Sequence, residues 1–139
     1  MMADLDDKGM LSLDDSIGEI EKIISAEIKG EKFDYLFTHG KNGEYGHERH
    51  IGAHRAVKNM LKSGRLHAER VFYFNYIKLN RKKHPTMSAR AESDYFLALK
   101  KNEYEKKREI VAGMYGYAPD GIDVGLCADI EGFKCVKDS

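Results

Sequence analysis

A chain of 139 residues, 42% of them hydrophobic, can bury the core of one domain. Basic and acidic residues balance at 23 each, which argues against a nucleic-acid or anionic-membrane partner. No apolar run approaches the roughly 20 residues of a membrane span, and the start is too acidic for a secretory leader, so a cytoplasmic protein is expected.

Residues 1–11 read as an N-terminal arm. Ser12 followed by Asp15 has the form of an N-cap, with Asp14 and Asp15 where the helix dipole favours anions. Ile17, Ile20, Ile23, Ile24 and Ile28 then recur at helical spacing up to about Lys29, and Gly30 is the stop. Phe33–Thr38 is too short for a helix and apolar on both faces, the pattern of an interior parallel strand. Gly40, Gly43 and Gly46 break it. A second helix follows from about His50, with Ile51, Ala53, Val57, Met60 and Leu61 on one side, and ends near Ser63-Gly64.

Arg70–Ile77 is strongly aromatic and reads as a second strand. Leu79–Arg90, polar and containing Pro85, reads as a loop, and residues 93 to about 114 as one long helix. Val124–Leu126 and Ile130–Val136 read as short strand pieces. Cys127 and Cys135 are too far apart for a Cys-x-x-Cys motif and read as free thiols. The alternation predicts an α/β fold, a Rossmann-like open and mostly parallel sheet with flanking helices. Two interior strands cannot cover one another, so the sheet reads as lacking its N-terminal strands.

Four of the six histidines, His39, His47, His50 and His54, lie where strand gives way to glycine loop and helix. Open α/β folds build their sites there. On a helix from about Glu48, His50 and His54 stand one turn apart, with His47 at the edge. Imidazoles so spaced suit zinc, and they equally suit loop histidines satisfied by backbone carbonyls. His47-Glu48-Arg49-His50 is one residue short of His-Glu-x-x-His, so a zinc-protease helix is excluded.

Thr38-His39-Gly40, Glu44-Tyr45-Gly46-His47-Glu48-Arg49-His50 and His54-Arg55-Ala56-Val57 together closely resemble the second motif of the PIG-L/LmbE-like zinc-dependent N-deacetylases. In that family the strand ends in Thr-His and the loop reads Gly-Glu-Tyr-Gly-His-Pro-Asp-His. The resemblance covers residues 12–63 well and the rest weakly. It implies a hydrolase that removes the acetyl group from an N-acetylglucosamine-type substrate, a sugar or sugar conjugate, with Zn2+ as cofactor. His50 would be the metal ligand. His47 would stabilise the oxyanion or protonate the leaving amine, and Tyr45 would hold the substrate carbonyl. Glu44 reads as a brace for the loop and His54 as helix packing.

Two departures qualify these expectations. Glu48-Arg49 stands where the family has Pro-Asp, removing the carboxylate that would support a charged His47. The Ala-His-Pro-Asp-Asp-Glu motif, source of the family's other ligands and general base, has no match, since His84-Pro85 continues as Thr86-Met87. The chain therefore reads as a single partial deacetylase domain, the C-terminal portion. One family ligand predicts weak zinc binding. The alternatives are a non-catalytic sugar- or anion-binding module, and an interaction fragment completed by an N-terminal partner segment or by a homo-oligomer.

Overall fold

The computed structural model describes residues 11–80 and 85–137. The arm expected at residues 1–11 lies outside the described residues except for Leu11. Two compact units divide the chain, one running to Phe74 and including Cys135 onward, the other Asn75–Lys134.

The first unit opens with α1 (Leu13–Ile28). Ser12 caps it as its pattern predicts: its Oγ accepts from the Asp15 backbone N–H at 3.1 Å and its hydroxyl donates to the Asp15 carboxylate at 2.6 Å. Lys29 in the left-handed region and Gly30 at φ 78° close the helix. The chain continues through β1 (Lys32–Thr38), a single irregular turn α2 (Gly43–Gly46), α3 (Glu48–Lys62) and β2 (His67–Phe74). β1 and β2 run parallel, with Leu36 opposite Val71 and Phe37 opposite Phe72. α1 and α3 pack on each other. Val57, Met60 and Leu66 form the centre of the core, with Ile24, Ile28, Leu36 and Leu61 against them. Each such side chain contributes roughly 1.5–3 kcal/mol on burial.

β1 is not the interior strand its composition predicts. It is the edge of its sheet. Leu36 packs into the helix-covered core, and the two-residue period sends Tyr35 and Phe37 to the other face. There they meet Phe72 at 6.1 and 4.8 Å between ring centroids, yet stay 59% and 57% exposed.

The second unit holds β3 (Tyr76–Asn80), β4 (Pro85–Ala89), β5 (Tyr95–Ala98), α4 (Lys101–Tyr115), α5 (Ile122–Gly125) and most of β6 (Ile130–Lys137). Several expectations are corrected here. The polar stretch Leu79–Arg90 is largely hairpin: β3 and β4 pair antiparallel, Tyr76 with Ala89 and Lys78 with Met87, while residues 81–84 lie outside the described residues. The single long helix from residue 93 is a strand and then a helix. Tyr95 through Ala98 pair antiparallel with Phe133 through Ile130, and Glu103 accepts the Lys100 N–H at 2.7 Å to start α4. Local helical spacing lost to tertiary pairing. Val124–Leu126 belongs to a helical turn rather than a strand, whereas Ile130–Val136 is a strand as predicted.

α4 has no buried residue. It is held at its flank, where the Tyr104 hydroxyl donates to the Cys127 carbonyl at 3.3 Å. Lys107 Nζ donates to the Ala128 carbonyl at 3.0 Å and pairs with the Glu131 carboxylate.

The four-stranded sheet has the order β1-β2-β6-β5, and β3-β4 form a separate ribbon. β1 and β2 are a parallel pair joined by a strand–helix–strand crossover, while the β3–β4 and β5–β6 pairs are antiparallel. The fold is thus α/β with a mixed sheet and flanking helices. A Rossmann-like, mostly parallel sheet is not what forms. No described helix is long and apolar enough to cross a membrane.

Candidate metal centre

The end of β1, the glycine loop and the start of α3 meet in one place, and backbone geometry explains the glycines. A Cβ on Gly40 would lie 2.2 Å from the Phe74 carbonyl oxygen, a distance no side chain can adopt. Gly43 has φ +58°, and a Cβ there would stand 2.9 Å from Ile51 Cγ1. The loop is thereby pressed against β2 on one side and α3 on the other.

Glu44 takes the next position with φ 59° and ψ −59°, outside the regions open to ordinary L residues. Such strain persists only where surrounding contacts over-determine it. Glu44 is 7% exposed, and its carboxylate is met on both oxygens. Gly40 N–H donates to Oε1 at 2.8 Å, while Nδ1 of His39 and Nδ1 of His50 lie 2.8 and 2.6 Å from Oε2. Burial alone would raise its pKa. The His39 and His50 hydrogen bonds and the Gly40 N–H outweigh burial and bring it from 4.5 down to about 2. An ionised carboxylate only accepts, so each imidazole presents Nδ1–H to Glu44.

The rings of His39 and His50 stack at 3.9 Å between centroids, 15° from parallel. His47 tilts against His50 at 4.6 Å, and Tyr45 meets His50 edge-on at 5.5 Å and His47 at 5.7 Å. The residues expected to share a site, Tyr45, His47 and His50, are therefore neighbours. His47 also caps α3, with its carbonyl accepting the Ile51 N–H at 3.1 Å.

His54 stands apart from this ring cluster. Its Nδ1–H donates to the His39 carbonyl at 2.9 Å, and its ring meets Tyr73 edge-on at 4.9 Å. Burial pushes its pKa down, and the hydrogen bond ties α3 to the strand end. Arg49 is also architectural. Buried at 8% exposure, it donates from Nη2 to the Leu11 carbonyl at 2.9 Å, just ahead of α1.

His39, Glu44 and His50 can hold a metal ion, since each offers a ligand atom within 4.8 Å of the others. Two imidazoles and a carboxylate form a donor set used by zinc and by other divalent transition metals. The Nδ1–Oε2 separations of 2.8 and 2.6 Å are hydrogen-bond lengths. Ligands sharing one tetrahedral zinc lie about 3.3 Å apart, so binding through those atoms requires these two contacts to open by about half an ångström and each ring to carry its proton on Nε2 instead of Nδ1. Of this set, the sequence points to His50 alone. His39 falls in the histidine cluster without a role and Glu44 reads only as a brace, because positions 39, 44 and 50 follow no helical or strand period. Their signal was Glu44 itself, an acid embedded among glycines beside histidines.

The chain matches no protein-family model and no curated protein.

Proposed function

We propose that this chain carries the metal centre of a zinc-dependent hydrolase that removes the acetyl group from an N-acetyl sugar or sugar conjugate. The observation that carries the reading is the convergence of His39, Glu44 and His50 with Tyr45 and His47 packed on the His50 ring. The segment that resembles the PIG-L/LmbE-like deacetylases is the segment that folds into this cluster.

Zinc held by His39, Glu44 and His50 would supply a Lewis acid that polarises the amide carbonyl and lowers the pKa of a water to about 7. The chain's own groups do the rest. Tyr45 offers a hydroxyl donor to the acyl oxygen, and His47 a proton for the departing amine nitrogen. Before an ion enters, Glu44 holds the two imidazoles in register from a buried, ionised carboxylate. With Glu44 used as a ligand, the cluster contains no second carboxylate among the described residues to serve as general base. In this reading the base comes from a further polypeptide segment.

The test is amine release from an N-acetylglucosaminyl substrate with zinc, using this chain alone and this chain joined to a segment bearing His-Pro-Asp-Asp. Turnover is expected only in the joined form. His50→Ala should abolish it with loss of metal, His47→Ala should lower turnover with metal retained, and Tyr45→Phe should cost less. A joined form that holds zinc and releases no amine would overturn the reading.

A second reading, an interaction fragment without chemistry of its own, is favoured by β1. An edge strand with Tyr35 and Phe37 more than half exposed is a template for added pairing.

A further inference from the structure

A cavity of about 690 Å³ opens in the second unit along the outer half of α4 and the residues that follow it. This lies within the range of roughly 300–1,000 Å³ in which small-molecule sites fall. Ala112, Gly113, Tyr117, Pro119 and Val124 give it a largely apolar wall, and Arg108 supplies a cation.

The charges around it are unevenly matched. Glu105 and Glu109 also border the cavity, and each has its own lysine: Lys101 at 3.9 Å from Glu105 and Lys106 at 3.3 Å from Glu109. Arg108 makes no ion pair among the described residues. Its guanidinium lies 5.8 Å from the centroid of the Tyr104 ring. Its Nε is buried and finds no hydrogen-bond acceptor among the described residues. Arg108 is thus the cation of the lining, without an ion pair among the described residues, and it carries a buried donor with no acceptor among them. A buried donor left unmade is costly, a guanidinium fork matches a carboxylate bidentately, and the largely apolar wall suits an anion that carries a hydrocarbon body.

We propose that this cavity binds a monocarboxylate with an apolar body, of the medium-chain acyl type, its carboxylate on Arg108 and its hydrocarbon along Ala112, Gly113 and Val124. This site belongs to the second unit and is independent of the metal centre.

Gly113 provides a clean way to close it. A Cβ built there meets nothing within 4 Å, so a larger side chain enters open space. Replacing a helical glycine also raises helix propensity, which protects folding.

The experiment titrates octanoate into the full chain, followed by NMR shift changes at residues 105–124, with octanol and octylamine as controls. Saturable octanoate binding is expected, weakened about tenfold or more in Arg108→Gln, the loss of one charge-assisted contact. Gly113→Leu should remove binding while the variant unfolds at or above the wild-type temperature. Octanol should bind Arg108→Gln and wild type equally. Absence of octanoate binding up to millimolar concentration would overturn the proposal. So would equal affinity for octanoate and octylamine, or octanoate binding that survives both substitutions.

Discussion

Two charged side chains, one in each unit, show how differently this molecule treats polar atoms removed from water. Glu44 is buried and receives donors on both oxygens, from Gly40, His39 and His50. Arg108 has a buried Nε with no acceptor among the described residues. The first charge is locked into the architecture before any ligand arrives, at the cost of a strained backbone. The second is held in part by a helix with no buried residue, beside a cavity. A buried carboxylate with donors on both oxygens marks a preformed centre, and a buried donor without an acceptor marks what the cavity lacks.

The contrast is broken most directly at two glycines. Gly40→Ala drives a Cβ to 2.2 Å from the Phe74 carbonyl oxygen, so the loop must leave β2. We expect destabilisation on the order of 3 kcal/mol or more, read by urea unfolding, with loss of metal binding. Gly113→Ala meets nothing within 4 Å and should stabilise by about 0.5–1 kcal/mol, the smallest effect expected and of opposite sign.

Between these extremes lies Glu44→Gln. A native pKa of about 2 against 4.5 makes the ionised Glu44 stabilising, by on the order of 3 kcal/mol. Because the folded pKa is the lower one, that contribution is complete above pH 4.5 and is lost as pH falls towards 2. Denaturant midpoints of the wild type should therefore fall across that window. In Glu44→Gln they should be lower at pH 7 and lose that part of the slope. Parallel pH profiles for the two proteins would show that the His39–Glu44–His50 contacts carry no stability. His54→Ala should cost less, about 1 kcal/mol for the lost bond to the His39 carbonyl, and leave the metal ligands in place.

Much of the first unit is legible in the sequence because its signals are local. Ser12 and Asp15 start α1, the isoleucine spacing carries it, and Gly40 and Gly43 mark the loop. The second unit is less legible because its pairings are not local. Tyr95 through Ala98 look helical until β6, some 35 residues later, offers them a partner. The polar run around Pro85 pairs with Tyr76–Asn80 although nothing in its own composition demands a strand. At the metal centre, the histidine cluster was visible as a group. Its closing by Glu44 was not, since it depends on a left-handed backbone at a non-glycine residue. The parallel-sheet expectation failed for a related reason: the composition of Phe33–Thr38 reports hydrophobicity on both faces, and not whether anything covers the second one.

The central claim is that His39, Glu44 and His50 form one metal centre, and cobalt(II) titration of the full chain tests it most directly. Visible absorption reports the ligand field. One ion per chain is expected, with affinity falling as pH is lowered because a protonated imidazole has no lone pair to give the ion. His39→Ala and His50→Ala should each abolish the ordered spectrum, and His54→Ala should retain it. Absence of one-to-one binding, or a spectrum unchanged by His39→Ala and His50→Ala, would contradict the account.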